Sequence, residues 1–290
     1  MPSAWQAELH LRFAPRGGRT SLVERRHRGP LVVQKPLYPE GGICHAVVIH
    51  PPAGIAGGDR LDIAVAVEPG AHAVLATPGA TKWYKSLGRR ADQHVRLQVG
   101  EGARLDWLPQ ENIVFDDARA GIATSVAVSP GGSAIGWDAV VLGRQASGER
   151  WTRGTAWLDT RVSGGGRSLW IEQAQLDADS PLRASPVGMH GLPVLGTLWA
   201  VGVNATQALA EEVAGMLPYG VGERAVTAPP TKPTLRAGIT HLPHPDQPML
   251  LLRVLGDHIE PVRHLLIDVW TRLREPIHGV PARPLRLWNT

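Results

Sequence analysis

Residues 43–49, ICHAVVI, form an apolar run of strand length. Residues 61–67, LDIAVAV, alternate instead: Leu61, Ile63, Val65 and Val67 fall on one face, and Asp62, Ala64 and Ala66 on the other. A period of two packs one face of a strand, and the small alanine face leaves room for another backbone to approach. Three later segments share one design. VEPGAHAVL begins at Val67, VGEGARLDWL at Val99 and VSPGGSAIGW at Val128, and each joins a strand end to a new strand through a short glycine turn. Turn signals returning roughly every thirty residues predict stacked β layers of solenoid type. Further strands are predicted at 134–142, 151–160 and 168–176, with RVSGGGRS at 161–168 as a hairpin turn.

The period changes to that of a helix in two places. Near 206–217, TQALAEEVAGML sets Leu209, Val213 and Leu217 on one stripe. Near 261–273, PVRHLLIDVWTRL does the same with Val262, Leu265, Leu266, Val269, Trp270 and Leu273, and Pro261 suits a first helical turn. Between them TAPPTKPTLRAG, at 227–238, reads as a proline-rich loop. The tail PARPLRLWNT reads as extended, with Trp288 docking back on the body. No linker divides the chain, so a single domain is expected over 1–290. The expected fold is mainly β, a layered, solenoid-like β-sheet body with about two helices.

Composition agrees with many short strands, because one residue in five is glycine or proline. Ten tryptophans against two phenylalanines make indoles the main large anchors. The formal net charge is +4, from 26 arginines and four lysines against 26 acids. Those arginines are scattered, and only ERRHR at 24–28 is dense, so no nucleic-acid partner is expected. The lone Cys44 excludes an intrachain disulfide, which fits a reducing compartment. The N-terminal stretch has no signal-type apolar segment and no run has membrane-spanning length, so a cytoplasmic protein without a membrane partner is expected.

The segment HPPAGIAGGDRL, at 50–61, invites three readings: a phosphate cradle, a metal site or a structural corner. A phosphate loop needs its glycines and a lysine between a strand and a helix, and here a strand follows with no lysine. For a metal, the neighbours Cys44 and His45 point to opposite faces of a strand. Cys44 and His50 share a face but stand about 20 Å apart along it. His241, His244 and Asp246 lie close in the loop HLPHPD, as solvated groups or a weak surface site. No C-x-x-C or H-E-x-x-H is present, which argues against a firmly bound metal. No G-x-S-x-G elbow marks Ser86, Ser125, Ser133 or Ser147, although a triad is spatial and a hydrolase stays open. Asp59, Asp106, Glu111, Asp138 and Glu172 sit in apolar company. Each alone reads as an outer-face surface acid. Several facing one interior would make it wet and attractive to cations.

Long blocks carry a resemblance along nearly the whole chain. They are HRGPLVVQKPLYPEG (27–41), CHAVVIHPPAGIAGGDRL (44–61), ATPGATKWYKS (76–86), LDWLPQENIVFDDA (105–118), the stretch from Gly136 to Glu149, and the ending PLRLWNT. In this order they resemble the urease accessory family called UreD, or UreH in some systems. Departures are Ala53, where the family has a second glycine, Ala56, where a bulkier aliphatic is common, and the RLWNT ending. The resemblance implies a largely β fold without a reaction of its own. It implies binding to the urease apoprotein and to the accessory partners UreF and UreG, with nickel delivered as UreG hydrolyses GTP. It also implies an internal water-filled tunnel for the ion. HPPAGIAGGDRL then becomes a structural corner, stiffened by Pro51 and Pro52 and turned by Gly54, Gly57 and Gly58. The candidate tunnel residues are Asp59, Thr81, Asp138 and Glu172, with His50 and Cys44 in second rank. Nickel would pass in transit, no cofactor would be bound tightly, and GTP would belong to UreG. A scaffold without a conduit and a stand-alone hydrolase are the alternatives.

Overall fold

The computed structural model describes residues 4–218 and 234–289. A hairpin of β1 (Gln6–Arg16) and β2 (Arg19–Arg28) opens the chain, followed by the short β3 (Val32–Val33) and by β4 (Cys44–Ile49). Next come β5 (Gly54–Ile55), β6 (Arg60–Val67), β7 (His72–Ala76), β8 (Thr81–Trp83), β9 (Ala91–Val99), β10 (Arg104–Leu108), β11 (Asn112–Val114), β12 (Ala118–Val128) and β13 (Ser133–Leu142). These strands wind as coils. β6, β9 and β12 pair in parallel on one side, β7, β10 and β13 on another, and β5, β8 and β11 make a short third stack. Val67, Val99 and Val128 are register partners, so the three repeated segments sit directly on one another. Gly70, Gly102 and Gly131 turn the same corner of each coil at φ 73°, 59° and 69°, a region that costs other residues about 1–2 kcal/mol.

The chain then returns antiparallel. β14 (Gly154–Gly164) and β15 (Arg167–Asp177) make a hairpin, and β16 (Val194–Val201) leads to helix α1 (Gln207–Ala214). β17 (Leu235–Leu242), β18 (Met249–Gly256) and helix α2 (Ile259–His278) follow. The first sheet runs β15-β14-β12-β9-β6-β1-β2, and the main path of the second runs β17-β18-β16-β13-β10-β7-β4-β3. One core fills the space between the sheets, with Leu9, Phe13, Ile63, Leu97 and Trp199 among its members. The other lies between the second sheet and the helices, with Ile135, Leu198, Leu252, Val262 and Trp270. Strands buried on both faces read as unbroken apolar runs, which explains HAVLA in β7 and MLLL in β18.

The mainly β, solenoid-like body with two helices is therefore present, with shifted ends. α2 reaches beyond the 261–273 stripe because Arg274 and His278, polar in sequence, are buried in its last turns. α1 stops at Ala214, although Leu217 stays buried. Of the proline-rich loop at 227–238, residues 227–233 lie outside the described residues, and from Leu235 the segment is strand β17. The tail ends in a short 3-10 turn, Arg286–Asn289, and Trp288 docks on the rings of Trp137 and Trp270 at 5.9 and 5.4 Å.

The corner at 50–61 is built as a turn rather than a cradle. The Ala53 N–H donates to the His50 carbonyl at 2.8 Å, and Gly58 turns the chain at φ 100°. A Cβ on Gly54 would sit 2.2 Å from the Tyr84 ring, so any other residue there must displace that ring. Ala53 itself is held at φ 57°. Its methyl resists that conformation, while glycine would lose more freedom on folding. Ala53→Gly is expected to stabilise the fold by a net of about 0.5–1 kcal/mol, read from the midpoint of urea unfolding.

A candidate functional site between the sheets

Side-chain alternation sends Asp138 into the space between the sheets, on the same face of β13 as Ala134 and Val140. Cross-strand register aligns it with two inward neighbours. Asp138 pairs with Thr197 on β16, and Thr197 pairs with Arg253 on β18. The opposite sheet carries a matching row, in which Thr124 on β12 pairs with Thr160 on β14 and Thr160 with Glu172 on β15. The rows meet at both ends. Thr124 faces Asp138 across the gap, and Arg253 Nη1 donates to Glu172 Oε1. A lane of hydroxyls and carboxylates thus crosses an otherwise apolar interior.

The Glu172 end of the lane borders open space, and a second cavity lies toward the corner. Glu172, Thr197 and Arg253 line a cleft of about 470 Å³ at the open edge of the sandwich, among Leu158, Leu195 and Val254. Toward the corner, His50, Thr77, Thr81 and Gln93 line a cavity of about 230 Å³. Asp138 keeps some accessible surface although it is enclosed, so it borders room for water. Burial pushes its carboxyl up to about 6, against the pull of Thr124. Burial pushes the His50 ring down, against the Asp59 charge.

The structure thus brings Thr81, Asp138, Glu172 and His50 to the inter-sheet space. It does not bring Asp59 there. The Asp59 carboxylate accepts the N–H groups of Trp5 at 2.8 Å and Ala56 at 2.9 Å, and so holds the corner against the N-terminus. Cys44 is fully buried beside Tyr38, and burial pushes its thiol up. In the 241–246 loop, His244 Nδ1 accepts the N–H groups of Asp246 and Gln247, a turn-stabilising arrangement.

Asp106 is a correction to its reading as a surface acid, being wholly buried beneath α2 on the other face of the second sheet. Its Oδ1 accepts Trp270 Nε1 at 2.7 Å, and its Oδ2 lies 3.1 Å from His72 Nε2 and 3.3 Å from Arg274 Nε. Arg274 reaches on to Glu40 at 2.6 and 3.1 Å, and Glu40 meets His45 Nε2 at 2.7 Å. Burial pushes the Asp106 carboxyl up, but His278, His72 and Arg274 outweigh it and hold it well below the usual range. Burial pushes His72 down to about 4 against the pull of Asp106. Glu111, also buried, pairs with Arg263 of α2 at 2.8 Å. Ser133 Oγ lies 2.7 Å from His278 Nδ1, and His278 Nε2 lies 3.6 Å from Asp106 Oδ1. This has the connectivity of a triad, yet Ser133 is buried, and no described cavity is lined by it. Sequence reasoning missed His72, His278, Arg274 and Glu40, which stand far apart along the chain. The one local signal was Asp106 itself, set between Leu105 and Trp107.

Stacked parallel coils, a helical cover and a polar lane between two sheets define a solenoid-like β protein with polar groups set inside it. The particular family follows from comparison with known proteins. The family model described as UreD urease accessory protein matches residues 6–289. The urease accessory protein UreD of Cupriavidus necator is 70% identical over 100% of this chain and 96% of its own length. That of Cupriavidus metallidurans is 67% identical over the same shares, and that of Bordetella pertussis is 43% identical over 99% and 98%. The chain belongs to the UreD family of urease accessory proteins. Among the described residues, no helix is long and apolar enough to cross a membrane.

The Asp138 carboxyl generates a signed prediction. It ionises near 3.8 in the unfolded chain and near 6 in the folded one. Its stabilising contribution is therefore complete below pH about 4 and is lost as pH rises through 6. At pH 8 Asp138→Asn is expected to be more stable than the parent chain by up to about 3 kcal/mol, and at pH 4 the difference is expected to vanish. Urea unfolding at the two pH values measures both.

Proposed function

We propose that this chain serves urease maturation as a scaffold and as a conduit for nickel. In this reading it binds the urease apoprotein and the UreF and UreG complex. Nickel passes through its interior while UreG hydrolyses GTP. The carrying observation is the facing pair of polar rows, Thr124–Thr160–Glu172 and Asp138–Thr197–Arg253, between a cleft at one edge and the His50–Thr81 cavity toward the other. Oxygen donors presented one or two at a time hold a divalent transition ion weakly, which suits passage rather than storage. Asp138 contributes the negative charge at the inner end of the lane, and above its raised pKa it draws a cation inward.

Within this reading Thr81, Asp138 and Glu172 are the tunnel residues, and His50 stands at the inner cavity. Asp59 keeps the corner in place and acts on His50 only through its charge. Cys44, with its thiol pushed up by burial, is a poor ligand at neutral pH. The protein works in the cytoplasm, catalyses no reaction and keeps no cofactor. A scaffold without a conduit is the second reading, favoured by the salt bridge that closes the Glu172 end of the lane.

Co-expression separates the two. Urease subunits and the other accessory proteins are produced with the chain, without it, or with Asp138→Ala or Thr81→Ala. Without the chain, nickel content and urea hydrolysis of the purified urease are expected to collapse. With either variant, UreF and UreG should co-purify as before while nickel content drops several-fold. Normal nickel loading in both variants would leave a scaffold only. Full urease activity without the chain would remove the accessory role.

A further inference from the structure

The buried group beneath α2 has a feature that the maturation role does not use. His72 comes from β7, Asp106 from β10 and His278 from the last turn of α2. One ligand atom from each lies within 4.8 Å of the others. His72 Nε2 stands 3.1 Å from Asp106 Oδ2, and His278 Nε2 stands 3.6 Å from Asp106 Oδ1. An ion with bonds of about 2.0–2.1 Å in tetrahedral geometry spaces its ligand atoms about 3.3 Å apart. The two separations run to different oxygens of Asp106 and fall on either side of that value, within the 4.8 Å that encloses the three ligand atoms.

Two further observations point to a ligand. His278 Nε2 is buried and has no hydrogen-bond partner, although it is aimed at the carboxylate. Its orientation is fixed from behind, because Nδ1 is held by Ser133 Oγ at 2.7 Å, the outer hydrogen bond a metal-bound histidine ordinarily makes. The Asp106 carboxylate is steadied likewise by Trp270 and Arg274. Two carboxylates, Asp106 and Glu40, share one guanidinium, Arg274.

We propose that His72, Asp106 and His278 form a binding site for one divalent transition-metal ion. The site is distinct from the lane, because the second sheet lies between the two. Imidazole with carboxylate suits the zinc, nickel and copper class, and water would complete the coordination. The ion joins α2 to β7 and β10 and takes the place of the unmet contact at His278 Nε2. None of this rests on the conduit.

The test is a titration of the chelator-stripped, full-length chain with Co²⁺, whose visible absorption reports the ligand field, followed by competition with Zn²⁺. One Co²⁺ per chain with a low-symmetry band, displaced by Zn²⁺, is the expected result. His72→Gln and His278→Gln should each abolish the band. They should also weaken binding by more than the roughly 10- to 100-fold lost with an outer partner. His264→Gln, at an exposed histidine of α2, should leave band and affinity unchanged. No band in the parent chain overturns the proposal, as does a band that survives both histidine variants. Should a histidine variant fail to fold, X-ray absorption of the cobalt-loaded parent decides: two histidine nitrogens on the ion support the site, and oxygen ligands alone overturn it.

Discussion

The second sheet of this protein is parallel through β4, β7, β10 and β13, and β7 and β13 are apolar toward both faces, so both faces must be covered. That constraint places everything else. One face is covered by the first sheet, which creates the inter-sheet interior. The other is covered by α2, whose Val262, Leu266, Val269 and Trp270 are buried against it. The first sheet, although parallel through β1, β6, β9, β12 and β14, has no layer beyond it among the described residues. Its outer face is instead laid out in charge, with Asp62 bound by Arg60 and Arg96, and Asp159 bound by Arg161. Opposite charges on neighbouring strands stabilise such a face and keep it wet.

Because the coils stack in register, residue type propagates sideways from strand to strand. That is how a lone acid on β13 acquires Thr197 and Arg253 beside it, and how Thr124 acquires Thr160 and Glu172. A polar residue inside a sandwich is costly in isolation. Placed in rows and closed by Glu172 with Arg253, polar groups share water and partners, and the cost falls mainly on Asp138. Retention of an acid whose ionisation opposes folding is the mark of a group kept for something other than stability.

The group under α2 obeys the opposite logic. Asp106 and Arg274 have no exposed side-chain surface, and apart from the bond from Arg274 to the Pro281 carbonyl their bonds join elements distant in sequence. Removing one partner would leave a buried charge unmatched, which is among the most damaging changes a core can suffer. The network therefore fixes where the last turns of α2 sit. The tail then runs on to Trp288, seated on Trp137 and Trp270.

Local pattern determined a good deal. The valines at 67, 99 and 128 with their glycine turns announced the coils, the stripe from Val262 to Leu273 announced α2, and the long blocks in their order announced the family. These are short-range properties, set by periodicity and turn stereochemistry. Strands β16 and β18 were not announced, because apolar runs buried on both faces carry no period. Apolar context singled out Asp138 and Glu172, but not the rows they stand in, and it gave Asp59 the same weight. Only tertiary structure decided that Asp59 holds a corner while Asp138 faces the interior, since that depends on which strand lies across the gap. It alone gathered His72, Asp106, Arg274 and His278 into one group, because their proximity follows from the docking of a C-terminal helix on a sheet built much earlier in the chain.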